Sequence, residues 1–137
     1  MSGRSSFVSA IRASVDAALA PGEHRRALAL LRGSEGGDRV AVVTDRRVLL
    51  FTVSPAARAA VLDESFPAGA VRVLDATLRG PGAVVVLRFP DARLGWFTPV
   101  PAWSEATLRL LDELGPAVDE PYPAGDDGCR PDRAPSD

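Results

Sequence analysis

RVAVVTDRRVLLFTV, from Arg39 to Val53, is the stretch whose reading decides the fold. Val40, Val42 and Val43 on one side, and Val48, Leu49, Leu50, Phe51 and Val53 on the other, are β-branched or bulky apolar residues in runs too short for a helix of that composition. The polar knot Thr44-Asp45-Arg46-Arg47 between them predicts a tight antiparallel hairpin, with Asp45 closing the turn by accepting a bond from the backbone. Ser54-Pro55 ends the second strand, because proline has no N–H to give a ladder.

Working upstream, Gly33-Ser34-Glu35-Gly36-Gly37-Asp38 is a cluster of turn formers feeding directly into that hairpin. It predicts a preceding strand from Arg26 or Ala27 to Arg32, although the alanines and leucines of residues 24–32 would also suit a short helix. Residues 5–19, SSFVSAIRASVDAAL, place Phe7, Ile11, Val15 and Leu19 four apart, the stripe of an amphipathic helix. Ser5 or Ser6 can cap its start and Pro21-Gly22 stops it. The stripe is expected to dock on the domain, the alternative being a partner. Ser9, Ser14 and Asp16 do not give it the basic polar face of a membrane-surface helix.

Downstream, residues 56–60 read as a loop or a single helical turn. Val61 to Phe66 and Val71 to Leu78 read as strands split by Pro67-Ala68-Gly69, and Arg79-Gly80-Pro81-Gly82 is a turn. Ala83 to Phe89 is a buried strand, and Pro90-Asp91-Ala92 turns it into Arg93 to Val100, the seventh. The period then changes: Trp103, Thr107, Leu110, Leu111 and Leu114 share a helical face, with Ser104 as the expected cap and Gly115-Pro116 as the stop. Residues 117–137 hold four prolines and little apolar besides Val118 and Tyr122, which reads as a disordered acidic tail.

The 137 residues suit one domain with a real core. The expected organisation is an N-terminal amphipathic helix and linker over 1–22, the domain over 23–115 and the tail over 116–137. All 16 basic residues are arginine, which with the wealth of Ala, Gly and Pro points to a GC-rich genome. Residues 24–115 carry 12 Arg against 10 acids, a balance of +2, and residues 116–137 carry 2 against 6, a balance of −4. One cysteine, Cys129, leaves no disulfide framework and no zinc cluster. No run reaches the roughly 18 apolar residues of a membrane span. A cytoplasmic protein is expected, with peripheral membrane association as the variant to test.

Seven short strands in meander order with one closing helix resemble the pleckstrin-homology superfold. VAVVTDRRVLLF, from Val40 to Phe51, is similar to the "TDRR" hairpin of bacterial pleckstrin-homology-like and GRAM-like domains. Phe66-Pro67 with Val71-Arg72-Val73 is similar to their next strand pair, and Glu23 after Pro21-Gly22 to their "pGE" lead-in. The resemblance covers roughly residues 19–114. It implies a mainly β fold with α: a partly open barrel of about seven antiparallel strands with a C-terminal capping helix, preceded here by the amphipathic helix. It also implies that Trp103, Leu110, Leu111 and Leu114 face inward, with Trp103 at the start of the helix.

The members of that superfold that bind phosphoinositides use basic residues of the first hairpin, which makes Arg25, Arg26, Arg32 and Arg39 the candidate anion or lipid site. Arg46 and Arg47, at the other hairpin end, are expected to fix the turn, to pair with a nearby acid or to touch a partner. Glu35 and Asp38 lie among the first group, and phosphate recognition wants convergent donors with few acids. Net charge −2 and 6% aromatics argue against nucleic acid. A single histidine, His24, leaves a catalytic triad or metal cluster short of parts. The carboxylate pairs Asp63-Glu64 and Asp112-Glu113 are adjacent, which on a strand or helix aims them apart. Trp96-Phe97 is expected to pack in the core or at the barrel mouth. The expected function is therefore a non-catalytic adaptor module for a protein or peptide partner, bound at a strand edge or beside the C-terminal helix. No cofactor or metal is expected. Anionic lipid is the alternative and a small hydrolase the remote one.

Overall fold

The computed structural model describes residues 3–54 and 59–116. Helix α1 (Gly3–Ala18) precedes β1 (Arg25–Gly33), β2 (Asp38–Thr44), β3 (Arg47–Ser54), β4 (Ala59–Pro67), β5 (Arg72–Thr77), β6 (Val84–Arg88) and β7 (Leu94–Pro99). A short 3-10 turn, Pro101–Trp103, then leads into α2 (Ser104–Leu114). All seven strands form one open antiparallel sheet in the order β4-β3-β2-β1-β7-β6-β5. The halves β1–β4 and β5–β7 are joined where β1 meets β7 at Leu31↔Pro99, Arg32↔Thr98 and Gly33↔Phe97. This arrangement is consistent with a partly open pleckstrin-homology-like barrel.

The unbroken apolar runs of the central hairpin follow from its position. Its inward residues Ala41, Val43, Val48 and Leu50 join Ala27, Ala29, Leu31, Val85, Leu87, Phe89 and Phe97 in the interior, which Leu110 and Leu114 of α2 help to fill. The alternate residues Val40, Val42, Leu49, Phe51 and Val53 form a second cluster on the outer face, under Ile11 and Val15 of α1. Burial on both faces removes the usual apolar–polar alternation. Ile11 and Val15 are fully enclosed, each contributing about 1.5 to 3 kcal/mol. The small interior alanines of β1 leave room for α2, which packs chiefly on that strand.

The segment expected as strand or short helix is strand β1, Arg25–Gly33, the helical alternative losing to the turn cluster that follows. The expected loop over 56–60 falls partly on 55–58, outside the described residues, and Ala59 and Ala60 already belong to β4. The expected acidic tail, with Cys129, also lies outside them beyond Pro116.

Three expectations are corrected. The turn between β2 and β3 is closed by Thr44, whose Oγ1 accepts the backbone N–H groups of Arg46 (3.0 Å) and Arg47 (2.9 Å). Asp45 instead reaches across to accept the N–H of His24 at 3.0 Å. Trp103 does not face the interior with the α2 leucines: it packs on the outer cluster with α1, because the 3-10 turn rotates it off their stripe. Ser104 does not cap α2. Its hydroxyl donates to the carbonyl of Pro101 at 2.9 Å, and the helix begins at Ser104 itself. At the other end the stop holds, with Gly115 at φ 77° donating its N–H to Leu111.

Candidate functional site

Two polar constellations sit at opposite ends of the barrel, and one of them is already saturated. Glu23, 7% exposed, receives the fork of Arg47 through Nη2 to Oε1 (2.7 Å) and Nε to Oε2 (2.9 Å). It also receives the hydroxyl of Thr44 at 2.7 Å and the N–H of Ala20 at 2.8 Å. The Arg47 hydrogen bonds, more than the others, hold its carboxyl near pKa 2 against burial, which pushes the other way. Arg47 is raised in return by Glu23. The lead-in glutamate and the hairpin knot, read separately in the sequence, are thus one structural lock between the end of α1 and the β2–β3 turn. Both Glu23 carboxylate oxygens are engaged by internal donors, so the lock positions the turn against the end of α1.

The second constellation is an open recess of about 430 Å³ bounded by the β1–β2 turn, β3, β4 and the β6–β7 hairpin. Leu50, Phe89 and Phe97 contribute its apolar lining, and Arg39, Thr52, Asp63, Glu64 and Arg93 its polar lining. Local structure explains the concentration of charge. The β3–β4 register shifts between Leu50↔Glu64 and Phe51↔Leu62, leaving Asp63 as an extra residue on β4. That bulge defeats alternation, so Asp63 and Glu64 both line the recess instead of pointing apart as expected. Asp63 Oδ2 accepts Arg39 Nη2 (3.1 Å) and Thr52 Oγ1 (3.2 Å). Glu64 takes both Arg93 terminal nitrogens, at 2.8 and 2.9 Å, which raises the guanidinium pKa of Arg93.

Arg93 is doubly placed. Its guanidinium carbon stands 4.8 Å from the centre of the Phe89 ring, and Phe89 stacks at 5.0 Å on Phe66 of β4. Bidentate pairing and ring stacking together make this a site where lysine would not substitute. Because β4 and the β6–β7 hairpin share no backbone ladder, the Arg93–Glu64 pair and the two rings tie the edge strand to the other half of the barrel. Gly95 makes it feasible: a Cβ there would stand 2.6 Å from Phe89 and 2.9 Å from Phe97.

The arginines singled out in the sequence do not converge. Arg25 pairs with Asp16 of α1 at 2.7 Å and Arg26 lies 4.0 Å from Glu113 of α2, both at the start of β1. Arg32 lies 3.5 Å from Asp38 at the far end of that strand, next to the recess that Arg39 enters. About seven residues of extended strand, some 23 Å, separate the pairs. Arg46 uses its backbone to hold the turn and to accept the N–H of Ala68. Phe97 is buried as expected, but Trp96 is 53% exposed. The groove beside α2 exists as a smaller hollow of about 250 Å³, between Arg26, Asp45, Val71 and Glu113. Arg93, Glu64 and Asp63 were not among the site residues read from the sequence: Arg93 read as the first residue of the seventh strand, Asp63 and Glu64 as carboxylates aimed apart, and a bulge leaves no sequence signal here.

Comparison with protein-family models, curated proteins and solved structures finds no match. The site therefore rests on its own geometry.

Proposed function

We propose that the chain is a non-catalytic, pleckstrin-homology-like binding module whose barrel mouth takes a short segment of a protein partner. The observation that carries this reading is the recess itself, which sets the apolar Leu50, Phe89 and Phe97 beside charged and hydrogen-bonding groups held in fixed geometry, in the size range of ligand sites. Among its lining residues three carboxylates, Glu35, Asp63 and Glu64, stand against two guanidinium groups, Arg39 and Arg93. Both guanidinium groups are already engaged by carboxylates, which supports a peptide with apolar and basic side chains over a phosphorylated headgroup. Each carboxylate of the bulge is likewise held by an arginine, which supports recognition over acid–base chemistry. Among the described residues no helix is long and apolar enough to cross a membrane.

The test is to pan the full chain against a display library of short random peptides, and in parallel to cosediment it with neutral and anionic phospholipid vesicles. Enriched peptides carrying apolar and basic residues, whose binding drops about tenfold or more in Arg93→Ala and is unchanged in Arg25→Ala, are the expected result. Failure to enrich any peptide, or enrichment indifferent to Arg93, would overturn the reading. Cosedimentation with anionic vesicles that is lost in Arg32→Glu/Arg39→Glu would replace it with lipid binding.

A further inference from the structure

The outer surfaces of the two half-sheets are treated differently. That of β1–β4 is covered by α1, whereas among the described residues no element covers that of β5–β7. The register sets Asp75 beside Val86 and Val86 beside Trp96 in one row, and Arg88 beside Leu94 in the next. Trp96 is 53% exposed, Leu94 and Leu74 each 43%. Asp75 and Arg88 are not joined to each other or to any described residue, whereas nearby Arg32 lies by Asp38 and Arg72 donates to the carbonyl of Leu114. One strand over and two residues along puts the Asp75 and Arg88 Cα positions about 8 Å apart, and within one copy the two side chains do not pair.

We infer that the outer face of β5–β7 is a self-association surface, on which a second copy of this chain packs face to face about a two-fold axis, Asp75 of each copy meeting Arg88 of the other. Sheet geometry carries the choice of occupant. A two-fold axis lying in the interface and exchanging the Asp75 and Arg88 positions passes close to Val86 and Trp96, so the operation that matches the charges also brings the two indoles together. The face is thereby self-complementary: an aromatic centre with one opposite-charge contact on each side. Leu94 and Trp96 also line the recess at the barrel mouth, whereas Asp75 and Arg88 do not, so charge reversals at those two positions test self-association apart from the recess.

The experiment is sedimentation velocity on the full chain over a concentration series, with Arg88→Asp, Asp75→Arg and the double exchange Asp75→Arg/Arg88→Asp. The expected result is a concentration-dependent dimer, weakened about tenfold or more by either single reversal and restored by the double one. Circular dichroism of the exposed-site variants is expected to match the parent, so that lost dimer is not lost fold. A chain that stays monomeric throughout, or a dimer that the double exchange does not restore, would overturn the inference. A monomer in which a Trp103→Phe background shows Trp96 shielded from a soluble quencher would overturn it too, giving the face to residues 117–137 instead.

Discussion

The outer face of β1–β4 and that of β5–β7 have comparable supplies of apolar side chains and opposite fates. Under α1, Val40, Val42, Leu49 and Phe51 are at most 1% exposed. On the other half, Leu74, Leu94 and Trp96 stay about half in water. The difference lies in what anchors a cover. Helix α1 is pinned at its end by Arg47, which reaches the carbonyl of Ala18 at 3.4 Å, and along its side by the Asp16–Arg25 pair. The β5–β7 face has instead Asp75 and Arg88, which are unmatched among the described residues. A sealed face adds stability to the fold; a bare one with unmatched charges is free to select a partner.

The most damaging way to break this contrast is to cut the anchor. Glu23→Ala takes the carboxylate partner from the half-buried Arg47 and is expected to cost about 3 to 5 kcal/mol, read by urea unfolding. Ile11→Ala opens a cavity beneath the helix and is expected to cost about 2 to 4 kcal/mol by the same measurement. Acid acts on the anchor more gently. The Glu23 carboxyl is lowered from 4.5 to about 2, so its stabilisation is complete above about pH 4.5 and is lost as pH falls from there toward 2. A contribution on the order of 2 kcal/mol is expected to vanish across that window, and to be missing from Glu23→Gln.

A smaller effect has the opposite sign. The hydroxyl of Thr107 on α2 is wholly buried with no hydrogen-bond partner, so Thr107→Val is expected to raise stability by about 1 kcal/mol. Smallest of all, Leu94→Ala on the bare face is expected to change the unfolding free energy by at most about 0.5 kcal/mol. A cost there as large as that of Ile11→Ala would erase the distinction between the two faces.

Much of the fold was legible in the sequence for an identifiable reason. Seven strands and two helices were punctuated by turn formers whose backbone preferences are strong, such as Gly33-Ser34-Glu35-Gly36-Gly37 and Arg79-Gly80-Pro81-Gly82. The turn chemistry was legible only in kind: Thr44 and Asp45 are both good acceptors, and which one the turn uses depends on Glu23 drawing the threonine hydroxyl, a contact 21 residues away in sequence. Trp103 was misplaced because one short 3-10 turn rotates it out of the α2 stripe. The recess was barely legible. Its carboxylates converge through a bulge, and Arg93 finds Glu64 across 29 residues of chain, distances at which periodicity carries no information. The arginines that attracted notice were those clustered in sequence, and the fold spreads them along a whole strand.

The most direct test of the recess as the binding site is amide hydrogen exchange on the full chain with and without a peptide enriched in the panning experiment. Slowed exchange confined to the β1–β2 turn around Gly33 to Gly37 and the β6–β7 hairpin from Phe89 to Phe97 is the predicted result. Protection centred on the hollow beside α2, around Val71 and Leu114, with the mouth unchanged, would contradict it.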